Sequence, residues 1–223
     1  MKKSLLVLVL LTGLVSNLAS AQARSIGPKD FTITPAAANE YWSKKIAPLL
    51  DRHTDAKEIP GIRNRLNKLA IYGTSGELGI TPIPAADPHN PQRLAHLDYD
   101  VPRHRPTILI FVPVIQRKEK ELNTRDFEDL LALTFAHEMI HWEQGHNGEF
   151  SPLSSRAYRR DTAEDVREEA SAFGKTILEI VRPWAAQGRI PERDLLRLSA
   201  QLKSVGDDYK DPRWVLAFKD YNK

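Results

Sequence analysis

The 223-residue sequence contains no cysteine. That excludes disulfides and a cysteine-linked lipoprotein anchor. The sequence also lacks any cluster of Lys and Arg interleaved with aromatics. Its charged segments, such as QRKEKELNTRDFED and RRDTAEDVREE, mix both signs, so nothing points to a nucleic-acid partner. No internal repeat or low-complexity tract is present. Beyond the first fifteen positions no apolar run is long enough to cross a bilayer.

The first fifteen positions are different. MKKSLLVLVLLTGLVSNLASAQA has two lysines, an apolar run from Leu5 to Val15, and then small residues. This is the layout of a signal peptide, with cleavage expected after Ala21 in Ala19-Ser20-Ala21. The expected organisation is a leader over 1–21 and one domain over 22–223. Loss of Lys2 and Lys3 lowers the formal net charge from +3 to about +1. Export without disulfides suits a bacterial periplasmic or secreted protein with no stable membrane insertion after cleavage.

Along the remaining chain, Thr34-Pro35 marks a helix start, with the helix running through AAANEYWSKKIAPLLDRH. A second helix is expected from Pro60 to near Gly73. Residues 73–106 are rich in Gly and Pro and read as a long loop with a short strand around Gly79–Ile83. TILIFVPVI (Thr107–Ile115) is β-branched and apolar nearly throughout, as a strand covered on both faces would be. Asn123 or Thr124 then caps a helix that is apolar on nearly every side, expected to stop at Gly145. Asp161-Thr162-Ala163-Glu164 opens another helix, ending before Pro183, and two closing helices follow. The expected class is α+β: one mostly helical domain with a small sheet and a buried central helix.

That central helix contains His137-Glu138-Met139-Ile140-His141, the pattern H-E-x-x-H. Residues four apart share a helical face, so both imidazoles can reach one ion. Glu138 stands beside them, placed to hold and deprotonate a water at the ion's open position. A charged pair in an apolar helix is tolerable when a cation and a water are its partners. His53, His89, His96 and His104 lie in polar surroundings and are assigned no role.

The H-E-x-x-H helix, the apolar strand before it and an acidic helix after it resemble the zincin metallopeptidases. The resemblance covers roughly residues 105–180. It implies a zincin-like fold, a Zn2+ ion held by His137 and His141, and Glu138 as general base. The metzincin extension H-E-x-x-H-x-x-G-x-x-H is not met, because Gln144 and Asn147 occupy its last two positions. The gluzincin arrangement takes its third ligand from a glutamate on the next long helix. In TAEDVREEASAFGKTILEI, Glu169 lies about 60° from the apolar stripe of Val166, Ala170, Phe173, Ile177 and Ile180. Glu168 falls on the polar side. Glu169 is therefore the expected third ligand, with Glu168 and His146 as alternatives. Phe173 stands where thermolysin-like enzymes carry a supporting aspartate. Tyr158, between the two ligand helices, is the candidate for stabilising charge on the substrate oxygen.

The resulting expectation is an exported zinc metallopeptidase acting on a protein or peptide substrate, with the Thr107–Ile115 strand beside the cleft. A non-catalytic exported binding protein of the same fold, and a hydrolase of non-peptide amides such as those of cell wall, are the alternatives. Oligomeric state is not legible.

Overall fold

A computed structural model describes residues 32–88, 90–100, 105–149 and 163–189. The expected leader, Tyr158, the residue 161–162 cap and the closing helices lie outside the described residues. Those residues form a mostly helical α+β unit with a three-stranded sheet. None of their helices is long and apolar enough to cross a membrane.

The first helical stretch consists of α1 (Pro35–Tyr41), a π turn (Trp42–Ile46) and α2 (Ala47–Arg52). Its start is as expected: the Thr34 hydroxyl accepts from the Ala37 amide at 3.2 Å, and proline occupies the first turn. Helix α3 (Pro60–Ser75) also opens on proline and runs two residues past Gly73.

The segment expected to be one long loop contains two strands. Strand β1 (Gly79–Ile83) was expected and β2 (Ala95–Asp100) was not. The apolar run splits: β3 (Arg105–Phe111) ends at Phe111, and VPVI opens helix α4 (Val112–Glu121) with Pro113 in its first turn. Thr107–Ile115 is therefore not one strand. Proline's missing N–H costs nothing in a first helical turn, and the four apolar residues stay buried.

Strand β3 is the central strand, parallel to β1 and antiparallel to β2. Strand β2 packs against the central helix.

The central helix is α5 (Thr124–His146), and its cap is Asn123, whose side chain accepts from the Asp126 amide at 2.9 Å. Phe127, Leu131, Phe135, Met139 and Ile140 are buried within it. Each such side chain contributes about 1.5–3 kcal/mol on leaving water. They meet Ile62, Leu66 and Leu69 of α3 and Ile108 and Ile110 of β3 in one core. The helix does not stop at Gly145. It continues through His146 to the Asn147 cap, and the following Gly148 takes a positive φ of 69°, the conformation glycine adopts most cheaply.

Beyond it, α6 (Ala163–Thr176), a π turn (Ile177–Val181) and α7 (Arg182–Ala186) form a second continuous helical stretch. The expected stop before Pro183 is not observed. An α-helix would pair residue 183 with the carbonyl of Glu179, and proline has no N–H to give it. That same carbonyl lies against the start of α3, where a β-carbon on Gly61 would stand only 2.1 Å from it. Only glycine fits that approach.

Candidate metal centre

Helix α5 carries His137 and His141 on its face toward α6, which carries Glu168, Glu169 and Thr176. The two histidine Nε2 atoms are 3.2 Å apart. Glu169 Oε2 is 3.4 Å from His141 Nε2 and 3.8 Å from His137 Nε2. These three atoms form a compact triangle that can hold a metal ion.

The surrounding hydrogen bonds orient the rings. The Thr176 hydroxyl donates to the Ala172 carbonyl at 2.8 Å, so toward His137 Nδ1, 3.0 Å away, it acts as acceptor. The proton of His137 is then on Nδ1 and its Nε2 presents a lone pair. On the other ring, Glu168 Oε1 lies 3.5 Å from His141 Nδ1 and places a carboxylate on the side away from His137. The His137 Nε2 lone pair faces His141 Nε2 at 3.2 Å, a contact that a proton on His141 or a shared cation satisfies. Zinc–nitrogen bonds of about 2.0–2.1 Å in a tetrahedron set neighbouring ligand atoms about 3.3–3.5 Å apart, close to the spacing observed. The donor set can therefore hold a metal ion.

Electrostatics favour a cation at the same point. Burial opposes charge on His141, but the carboxylates of Glu169, Glu168 and Glu138 outweigh it and hold the imidazole well above its ordinary range. Burial would raise the Glu169 carboxyl, yet His141 and His137 hold it well below its usual range. The Glu169 side chain stays 41% exposed against 14% for His137 and 9% for His141, so solvent reaches the triangle from the α6 side.

Glu138 is buried and lies outside the ligand triangle. Its Oε2 accepts a 2.7 Å hydrogen bond from the Leu97 amide of β2. Phe111 N donates to Leu94 O, so Leu94 and Phe111 are a hydrogen-bonded pair of the ladder. Alternation then leaves Leu97 N–H on the outer edge of β2. The edge strand thus meets the central helix through Glu138.

Several expectations change here. Glu168 does not lie on the polar side: it is buried and turned toward His141. A long side chain adjacent to Glu169 reaches the same neighbour when two helices pack closely. His146 lies not in a loop but in the last turn of α5, where it is exposed and stacks on Trp142 at 4.7 Å and 15°. Gln144 is fully buried, and its side-chain amide has no hydrogen-bond partner among the described residues. Phe173, in place of an aspartate, packs its ring against His137 at 4.6 Å.

Sequence reasoning missed Thr176, although it follows Glu169 by seven residues and so shares its helical face. His53 is buried against Glu58 at 2.8 Å and is not part of this triangle. His96 is not a loop residue but lies on β2. His89 and His104 lie outside the described residues. No family model, curated protein or solved structure matches this chain.

Proposed function

We propose that the protein is an exported zinc-dependent metallopeptidase, periplasmic or secreted, acting on a protein or peptide substrate. The observation that carries this reading is a metal-ligand triangle with a buried carboxylate, Glu138, next to it in sequence and outside the ligand set. A purely structural site has no use for that base, which favours an enzyme over a binding protein.

His137, His141 and Glu169 would hold the ion. Bound there, zinc supplies Lewis acidity toward a carbonyl oxygen and lowers the pKa of water. Glu138 takes the proton as a water oxygen adds to the amide carbon and the carbonyl π electrons move to its oxygen. It then returns that proton to the amide nitrogen as the C–N bond breaks. The Leu97 amide fixes one Glu138 oxygen and leaves the other for the water. Thr176 and Glu168 hold the two imidazoles in the orientation that exposes Nε2. Tyr158 remains our candidate for a further contact with the substrate oxygen.

The experiment compares wild type with Glu138→Gln at matched zinc content on a broad peptide library. The amide keeps the shape but cannot take the proton, so zinc is retained and cleavage is lost. Equal cleavage by the two proteins, or none by either, removes the peptidase reading.

A further inference from the structure

The first helical stretch, the end of α4 and the start of α5 line a cavity of about 620 Å³. None of its lining residues belongs to the metal centre. Thr124, which lines it, stands about 20 Å of helix from His137 at 1.5 Å per residue.

Two ion pairs are built into the walls. Lys45 Nζ lies 2.6 Å from Glu119 Oε1, and Arg52 Nη2 lies 2.9 Å from Glu128 Oε1. In each pair the cation comes from the first helical stretch and the carboxylate from α4 or α5. The Tyr41 hydroxyl donates to the other Glu119 oxygen at 2.5 Å, so that carboxylate is held on both sides. The apolar lining includes Leu49 and Phe127, both buried, and the half-buried Leu122. Lys44 differs from the other two cations. Its partner, Glu40 at 2.8 Å, lies one turn back on the same stretch and outside the cavity. The two side chains are 74% and 62% exposed. A pair so exposed contributes little, so the Lys44 ammonium can turn to an anion in the cavity at small cost.

The walls select the ligand by charge and by hydrogen bonding. Glu119 and Glu128 repel a phosphate or any polyanion, which leaves a single negative charge for Lys44. The apolar side chains take a hydrophobic group beside that charge. The two carboxylates and the Thr124 hydroxyl can accept from N–H groups, which a peptide carries and a fatty acid does not. The volume is that of an ordinary small-ligand pocket.

We propose that this cavity binds the C-terminal end of a short peptide, with its free carboxylate at Lys44 and its apolar last side chain on Leu49, Leu122 and Phe127. The site goes beyond the metallopeptidase reading and needs neither zinc nor Glu138.

Calorimetric titration of the full mature chain, zinc-loaded and zinc-free, tests it. The probes are acetyl-leucyl-phenylalanine, its C-terminal amide, acetyl-leucyl-glycine and dodecanoate. Acetyl-leucyl-phenylalanine should bind equally with and without zinc. Its amide should bind roughly 5-fold more weakly, the upper range for one exposed charge pair. Acetyl-leucyl-glycine should bind at least about 10-fold more weakly, the loss of one buried aromatic side chain. Lys44→Glu, at an exposed position, should reproduce the loss seen with the amide. Glu128→Gln removes a repelling carboxylate and should tighten binding. Peptide binding that disappears with zinc belongs to the metal centre and overturns the assignment. Absent binding, equal affinity for acid and amide, equal affinity of wild type and Lys44→Glu, or tighter binding of dodecanoate than of the peptide also overturns it. If the protein takes up no zinc and cleaves nothing while these probes still separate the variants, the metallopeptidase reading falls and this site stands.

Discussion

The Nδ1 atom of His137 lies 3.0 Å from the Thr176 hydroxyl, which itself donates to the Ala172 carbonyl. A chain of two hydrogen bonds thus links the backbone of α6 to the tautomer of a ligand on α5. The nitrogen that His137 turns toward the triangle is set by a residue outside that triangle.

Thr176→Val keeps the shape and removes the acceptor. The ion should still bind, with affinity lowered about 10–100-fold, the usual cost of losing a partner behind a ligand. Competition against a chelator of known affinity measures this. Unchanged affinity would mean that helix packing alone orients the ring.

Neighbouring acidic residues on α6 should separate cleanly. Glu169→Ala removes a ligand atom and should weaken zinc binding far more than Glu168→Gln, which only loosens the contact with His141 Nδ1 and should cost about 10–100-fold. His146→Ala should bind zinc like wild type, because its ring stacks on Trp142 and is not part of the triangle. Zinc titration of the three variants gives the order. A larger loss in Glu168→Gln than in Glu169→Ala would reverse the ligand assignment.

Gly61→Ala should destabilise the fold by about 1–3 kcal/mol, the usual cost of overpacking, because the added carbon would stand 2.1 Å from the Glu179 carbonyl. Thermal unfolding checks it. The neighbouring exposed position Asn64, in the same helix, should tolerate alanine with little change.

Away from the metal centre, Glu58 holds a buried network. It meets His53 at 2.8 Å and accepts from Trp184 Nε1 at 3.0 Å and Arg189 Nη1 at 2.8 Å. Burial works against its charge, but these partners and the Ile59 amide lower its pKa from 4.5 to about 2. A carboxyl with a depressed folded pKa contributes stability that is present above about pH 4.5 and is lost as pH falls toward 2. The shift corresponds to roughly 3 kcal/mol. Urea unfolding across that range should show the loss in wild type, and Glu58→Gln should flatten it. An equally steep decline in Glu58→Gln would place the acid sensitivity elsewhere.

Which parts of this molecule could be read from its residues follows from what each signal encodes. The cap at Asn123 and the H-E-x-x-H spacing are local, and both appear as read. The end of β3 was misplaced because a buried apolar run looks the same in a strand and in the first turn of a buried helix, and Pro113 suits both. Ala95–Asp100 alternates polar and apolar residues, but the Gly- and Pro-rich sequence around it obscured the strand. Gly145 was mistaken for a stop: a helix interior tolerates glycine, and of these two glycines Gly148 is the one in the left-handed conformation. Glu168 was placed by its angle on a helical wheel, which ignores the reach of a long side chain across a helix–helix contact. The contacts of Thr176 and Leu97 N–H are set by tertiary pairing, and no local pattern announces them.

X-ray absorption on zinc-supplied full mature chain tests the central claim most directly. The account predicts one zinc per chain with two imidazole nitrogens at about 2.0–2.1 Å and a carboxylate oxygen. The imidazole contribution should fall by half, or the metal be lost, in His141→Ala. Protein that stays metal-free after zinc is supplied, or a ligand shell unchanged by His141→Ala, would contradict it.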